Sequence, residues 1–100
     1  YIRARKSVTE VRNLKHVEPL LVNERGEITE SDIANVVFKM AGQFYTPPLC
    51  CGLLPGVMRN ALLQQGELRE RVLRLEQLED VEAFYLINDL RGWRDATLLS

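Results

Sequence analysis

The sequence predicts an α+β fold, in which a mixed, largely antiparallel sheet carries helices packed over it. Three observations lead to this prediction. Several short segments rich in β-branched and aromatic residues are separated by turns that contain glycine, as antiparallel strands are. Residues 57–65 instead space their apolar side chains as a helix does, and Gly66 follows them. The 100 residues, 46% of them hydrophobic, suffice for one domain with its own core.

The N-terminal part of the chain is predicted to form a helix followed by a hairpin. Residues 1–14 indicate a helix because apolar residues recur among charged ones. These apolar residues are Ile2, Val8, Val11 and Leu14. Residues 17–23 are predicted to be a buried strand, and Gly26 favours a turn because glycine adopts positive φ without strain. Residues 28–30 are expected to return as a short strand beside the first one.

Two further strands are predicted before a proline-rich loop. Residues 35–40 and 43–46 are rich in β-branched and aromatic side chains, and residues 41–42 supply the turn between them. Together with the preceding hairpin, they predict three or four consecutive antiparallel strands.

The remainder of the chain is predicted to contain two strands, a short helix and a loop before a last strand. Residues 68–73 indicate an edge strand, and residues 75–81 a short helix with one apolar face. Residues 83–87 are the most apolar strand and are expected at the centre of the sheet. A polar loop at 88–94 and a final strand at 96–100 complete the domain.

The composition excludes several functional classes and is typical of a cytoplasmic domain. Lys and Arg total 13 against 14 Asp and Glu and are scattered, which argues against a nucleic-acid partner. No apolar run has the length of a membrane span or of a signal peptide. A lone imidazole, His16, and the lack of a CxxC motif argue against a metal site. Cys50 and Cys51 are adjacent and are predicted to be two buried free thiols.

One stretch, TPPLCCGLLPGVMR at residues 46–59, is arranged like a rigid loop that delivers the chain to a helix start. Pro55 suits a first helical turn, where its missing N–H is not needed, and Gly56 allows close approach to the backbone. The N–H groups of Val57 and Met58 then point out of the positive helix end, which favours a bound phosphate. The alternative is an ordinary entry from loop to helix.

The same stretch resembles the cofactor-phosphate loop of the fold-type IV pyridoxal-phosphate enzymes, the class IV aminotransferase family. A second block, LVNERGEITE at residues 21–30 with Ala34-Asn35-Val36 after it, is similar to that family in the expected order. A weaker third strip lies near Asn88, so the resemblance covers roughly residues 18–95. Within the family, the residues of these blocks are most similar to the branch of 4-amino-4-deoxychorismate lyases.

The resemblance implies roles in binding pyridoxal 5′-phosphate. Glu30 matches the acid that pairs with the pyridine nitrogen, although the residues alone favour a solvated hairpin acid. Leu54 matches the apolar residue against one face of the ring. Gly56, Val57 and Met58 match the phosphate loop, where Met58 replaces a threonine frequent in the aminotransferases.

The third strip matches the family only in part. Asn88 is expected to hydrogen-bond the phosphate or the substrate. Asp89 departs from the small residue usual there, and an acid beside a phosphate is unfavourable unless it turns away. Arg91 is a weaker candidate for a substrate carboxylate, the alternative being a surface arginine. Asn35 matches a position expected to tie the loop.

The resemblance further implies a catalytic lysine that forms a Schiff base, and no lysine of this sequence stands at its position. Lys39 falls in the strand after Asn35, which is the wrong place, and the family spacing puts the lysine just upstream of Tyr1. The chain is therefore expected to be the larger C-terminal domain of such an enzyme and to be inactive alone. No catalytic residue is expected within the chain itself.

Three functions remain open from the sequence. The first is a lyase that makes 4-aminobenzoate and pyruvate for folate synthesis. The second is a transaminase of branched-chain or D-amino acids, with the same Glu30 and the same loop. The third is a truncated, non-catalytic relative. For the two enzymes the expected partners are a small-molecule amino substrate and a second copy of the chain in a homodimer.

Overall fold

One mixed sheet accounts for most of the structure, a computed structural model that describes residues 6–13 and 16–99, with residues 6–9 described by their backbone alone. The strands within these ranges are β1 (Lys6–Asn13), β2 (His16–Val22), β3 (Asn35–Met40), β4 (Gln43–Thr46), β5 (Arg69–Glu70), β6 (Ala83–Asn88) and β7 (Gly92–Leu99). The helix α1 spans Val57–Gln64, and two short 3-10 helices span Leu49–Cys51 and Leu75–Asp80. The mixed sheet with few helices confirms the predicted fold class.

The strands lie in the order β2-β1-β7-β6-β3-β4-β5. Adjacent strands run antiparallel except β4 and β5, which are parallel and meet at one edge. The β6 strand is the fourth of the seven, so its predicted central position is confirmed. Its two neighbours, β3 and β7, satisfy the backbone groups on both of its sides.

Residues 28–30 close the sheet by linking its β2 end to β3. The Leu21 N–H donates to the Glu30 carbonyl at 2.8 Å, and the Thr29 N–H donates to the Leu21 carbonyl at 2.9 Å. On the other side, Glu30 forms an isolated antiparallel bridge with Asn35, the first residue of β3. The strands from β2 to β3 therefore enclose the main core. Its buried members are Val11, Leu20, Ile28, Ala34, Val36, Phe38, Met40, Leu73, Phe84 and Leu86.

The helix α1 packs against the opposite face of β3 and β6. Alternate residues of a strand point to opposite faces, so Val37 and Ile87 point away from the main core and pack against α1. The helix contributes Met58, Leu62 and Leu63 to this second cluster. This packing fixes the N-terminus of α1 beside the end of β6, where the candidate site lies.

The predicted N-terminal helix is wrong for residues 6–13, which form β1, while residues 1–5 and 14 fall outside the described residues. The segment contains Val8, Thr9 and Val11, and β-branched residues favour extended backbone. The β1 strand is hydrogen-bonded to β2 on one side and to β7 on the other. These partners are distant in the sequence, so a local helical pattern does not reveal them.

The expected series of consecutive antiparallel strands is correct only for the β3–β4 hairpin and the short 28–30 return. Three strands, β1, β7 and β6, separate β2 from β3 in the sheet. The predicted polar loop at 88–94 is also too long, because β7 already begins at Gly92. By contrast, the predicted bounds of β3 and β4 are confirmed, and α1 ends within one residue of its predicted end.

Within the ranges that the structure describes, no helix is long and apolar enough to cross a membrane.

The β3–β4 turn offers a test of the fold. Both of its central residues have positive φ, 51° at Ala41 and 75° at Gly42, as in the turn type that favours Asn-Gly. We expect Ala41→Asn to raise the free energy of unfolding by up to about 1 kcal/mol, because asparagine tolerates this backbone better than alanine. Ala41→Val is the opposing control and should lower stability. Equal stability of the two variants in urea unfolding would contradict the turn geometry.

Candidate functional site

A cleft of about 220 Å³ lies where the 28–34 segment, the start of α1 and the end of β6 meet. Six of the predicted or implicated residues line it: Glu30, Asn35, Leu54, Gly56, Met58 and Asn88. Asp32 and Asp89 also line it. The structure thus brings the two blocks of the resemblance and the third strip into one place.

The Glu30 side chain is buried at the cleft, with 5% of its surface exposed. Its position follows from the pairing of residues 28–30 between β2 and β3, which holds the backbone on both sides. The Glu30 Oε1 atom accepts a hydrogen bond from the Leu54 N–H at 3.1 Å. The solvated hairpin acid that the residues alone favoured is therefore wrong, and the carboxylate is a fixed part of the cleft wall.

Asn35 holds the carbonyl group of Leu54. Its Nδ2 donates to the Leu54 carbonyl at 2.8 Å, which confirms that Asn35 ties the loop. The Gly56 N–H donates to the same carbonyl at 3.1 Å. Both polar groups of the Leu54 backbone are thus fixed, while half of the Leu54 residue surface remains exposed at the cleft.

Gly56 is required here by its neighbour Asn35. A Cβ atom at Gly56 would clash with Asn35 Oδ1, although the Gly56 backbone, at φ −60° and ψ 148°, is open to other residues. Gly56 is also the N-cap of α1, so Pro55 precedes the helix and the expectation of proline in the first turn is wrong.

The start of α1 already binds an anionic side chain. The Met58 N–H donates to Asp89 Oδ1 at 2.8 Å. Asp89 lies in the turn after β6 and does not turn away from the predicted phosphate position. Val57 is 71% exposed and is not among the residues that line the cleft.

Asn88 ties the turn after β6 to the 28–34 segment. Its Nδ2 donates to the Ile33 carbonyl at 3.3 Å, and its Oδ1 accepts from the Arg91 N–H at 2.7 Å. Arg91 itself is exposed and does not line the cleft. The structure therefore favours the alternative in which Arg91 is a surface arginine and not a ligand of the substrate carboxylate.

The sequence interpretation missed Arg59, which lines the cleft with 1% of its surface exposed. Its Nη2 donates to the Pro47 carbonyl at 2.9 Å and to Glu70 Oε2 at 2.7 Å. It thereby joins the start of the proline-rich loop to β5. A signal was available, because Arg59 lies four residues before Leu63, on a face of α1 that is otherwise apolar.

The two cysteines occupy different environments. Cys51 is buried, and this burial raises the pKa of its thiol to about 12, so the thiol stays protonated at neutral pH. Cys50 is exposed, so the prediction of two buried thiols is wrong for Cys50. A hydrogen bond from Asn23 lowers the pKa of the Glu27 carboxyl, and Asn23 also donates to the Cys51 carbonyl at 2.9 Å. These contacts fasten the loop to the hairpin before Glu30.

No group of three or more His, Cys, Asp or Glu side chains among the described residues is arranged to hold a metal ion.

A double substitution tests how the loop is held. Gly56→Ala should lower the free energy of unfolding by about 1–3 kcal/mol, because its Cβ displaces the Asn35 amide and breaks the bond to Leu54. In an Asn35→Ala background the same change should cost less than about 0.5 kcal/mol, because the obstructing amide is gone. Urea unfolding of the four proteins measures this coupling. Additive losses would mean that Gly56 is needed for another reason.

Comparison with known proteins places this geometry in a family. The model of the amino-transferase class IV family matches residues 1–99. A Schizosaccharomyces pombe protein named "Putative aminodeoxychorismate lyase" is 40% identical over 80 residues, which cover 77% of this chain and 35% of that protein. The chain spans about a third of the length of the curated relatives it matches.

Two solved structures share the fold. A Mesorhizobium loti protein titled "Putative amino-acid aminotransferase" is 45% identical with a TM-score of 0.72, over 76% of this chain and 37% of that one. The Escherichia coli branched-chain amino acid aminotransferase is 26% identical with a TM-score of 0.68, over 78% of this chain and 28% of that one.

Proposed function

The chain belongs to the amino-transferase class IV family, and we propose that it is the C-terminal, cofactor-binding part of a pyridoxal-phosphate-dependent lyase. The proposed reaction converts 4-amino-4-deoxychorismate to 4-aminobenzoate and pyruvate, a step of folate synthesis. One observation carries the proposal: a buried carboxylate, Glu30, and the N-terminus of α1 line the same cleft. The name of the Schizosaccharomyces pombe relative favours the lyase over other reactions of the family.

The residues of the cleft fit pyridoxal phosphate. Glu30 offers a buried carboxylate to a protonated ring nitrogen, and Leu54 offers apolar surface to a ring face. The backbone N–H groups at the start of α1 suit a phosphate. The Asp89 carboxylate now at the Met58 N–H must leave when a phosphate binds there, and its exposed position permits that movement.

In this proposal the chain's own residues orient the cofactor and hold one proton. Pyridoxal phosphate, when bound, supplies the electron sink for the negative charge that develops on the substrate. Glu30 would keep the proton on the pyridine nitrogen, because a carboxylate beside this nitrogen favours its charged form. The Leu54 N–H holds Glu30 Oε1 in place, so the carboxylate is oriented before the cofactor arrives.

We further propose that the catalytic lysine lies outside these 100 residues and that the chain alone is inactive. Lys39 Nζ lies 5.6 Å from the centre of the Phe44 ring, and Lys39 does not line the cleft. The Lys6 side chain and Lys15 fall outside what the structure describes. The complete enzyme would be a cytoplasmic homodimer that acts on a small amino substrate, as the resemblance implies.

A transaminase is the second candidate, because the same cleft serves either reaction. The shared fold with the Escherichia coli branched-chain amino acid aminotransferase favours it. A truncated, non-catalytic relative is the third candidate. The sequence preceding Tyr1 in the full-length protein separates it from the enzymes, since a lysine a few residues upstream supports catalysis and its absence does not.

The products of the full-length protein separate the two reactions. We expect 4-amino-4-deoxychorismate to yield equal amounts of 4-aminobenzoate and pyruvate with no 2-oxo acid added, as chromatography can measure. A transaminase would need a 2-oxo acid and would convert it to an amino acid. Turnover that depends on an added 2-oxo acid would therefore overturn the lyase assignment in favour of the second candidate.

Glu30→Gln in the full-length protein should lower turnover at least tenfold, which corresponds to about 1.4 kcal/mol of transition-state stabilisation. Glutamine keeps an oxygen for the Leu54 N–H but lacks the negative charge that holds the ring proton. Glu30→Ala is a poorer test, because it also leaves this buried N–H without its acceptor.

Glu24→Gln is the matched control, since Glu24 is an exposed acid of the same hairpin. It should leave turnover unchanged, and both variants should melt close to the wild type. Glu30→Gln with more than a tenth of wild-type turnover would remove Glu30 from its assigned role.

A further inference from the structure

Asp89 occupies the first turn of α1 with its carboxylate. The Met58 N–H donates to Asp89 Oδ1 at 2.8 Å, and both residues line the cleft that holds Glu30. The helix has no side-chain cap from its own N-cap residue, Gly56. The turn between β6 and β7 therefore supplies the anion that this helix end would otherwise lack.

The position of Asp89 is set by the framework around the cleft. Asn88, the preceding residue, is bonded to the Ile33 carbonyl and to the Arg91 N–H, so both sides of the turn are held. The β6–β7 pairing continues to Asn88 and Gly92 on either side of Asp89. The carboxylate is thus presented to Met58 by a short, fastened turn rather than by a long free loop.

A second observation points to an anion at this place. Arg59, the residue after Met58, lines the cleft with 1% of its surface exposed. Its Nη2 is bonded to Glu70 and to the Pro47 carbonyl, whereas its buried Nε has no hydrogen-bond partner among the described residues. The guanidinium, although its charge is paired with Glu70, therefore leaves one buried donor without an acceptor beside a helix N-terminus, and a further anion could satisfy this donor.

We propose that Asp89 is an internal competitor of the cofactor phosphate, which must displace the Asp89 carboxylate from the Met58 N–H in order to bind. A phosphate and a carboxylate cannot both accept from one N–H, and their like charges repel at this distance. Asp89 therefore weakens phosphate binding while it stabilises the empty cleft. This inference rests on the proposed function, because the anion concerned is the phosphate of pyridoxal phosphate.

The test uses the full-length protein without cofactor and inorganic phosphate as the probe. Phosphate is titrated while the backbone amide resonance of Met58 is followed by NMR with ¹⁵N-methionine. Asp89→Ala removes both the charge and the acceptor, and it should tighten phosphate binding at least tenfold, about 1.4 kcal/mol. Asp89→Asn keeps an acceptor oxygen and should fall between Asp89→Ala and the wild type.

Asp32→Asn is the matched control, because Asp32 is an exposed acid that lines the same cleft. It removes the same charge but leaves the bond between Met58 and Asp89 intact, so its gain should stay below about threefold. Melting temperatures give a second readout. Without phosphate, Asp89→Ala should melt below the wild type, and added phosphate should raise its melting temperature more than that of the wild type.

Three results would overturn the inference: unchanged phosphate affinity in Asp89→Ala, an equal gain in Asp32→Asn, or no phosphate binding by any of the proteins. Titration with pyridoxal phosphate separates this failure from failure of the proposed function. Wild type that binds pyridoxal phosphate while Asp89→Ala changes neither affinity overturns the inference alone. If the wild type binds no pyridoxal phosphate while Asp89→Ala still gains affinity for inorganic phosphate, the proposed function is overturned, and the competition between Asp89 and phosphate for the Met58 N–H stands.

Discussion

The backbone of Leu54 is held at both its N–H and its carbonyl, and the arrangement of the cleft depends on these hydrogen bonds. Glu30 accepts from its N–H, and Asn35 donates to its carbonyl. Glu30 and Asn35 also bridge to each other where residues 28–30 join β2 to β3. The same residues therefore close the sheet and set the shape of the cleft. A change that loosens this bridge would move the acid and the loop that leads to α1 together.

Local signals predicted the elements whose partners are close in the sequence. The β3–β4 hairpin has its predicted bounds because strand composition and the turn at residues 41–42 lie within twelve residues of each other. The helix predicted for the segment that forms β1 is wrong because its strand partners are β2 and β7, and β7 lies at the other end of the chain. Strand order is likewise decided by long-range packing, which separates β2 from β3.

The site was predictable as far as the resemblance extended and no further. Glu30, Asn35 and Leu54 lie within its two blocks, and the structure brings them together. The contacts that set the local charge were not predictable, because each joins residues that no short motif contains. Arg59 is bonded to Glu70 from β5, and Met58 to Asp89 from the turn after β6. An arginine on an otherwise apolar helix face is the sequence signal that points to such a buried contact.

The charges around the cleft decide how it selects an anion. Glu30, Asp32 and Asp89 all line it, while the charge of Arg59 is offset by Glu70. The net charge of the described cleft residues therefore opposes an anion, so these residues do not draw a phosphate in by Coulomb attraction at long range. What remains are directed donors: the N–H groups of the first turn of α1. These donors act over hydrogen-bond distance and require a defined position. The cleft therefore selects an anion by where its oxygen atoms lie. A free anion that the rest of the cleft does not hold in place has little advantage over the Asp89 carboxylate already bound there.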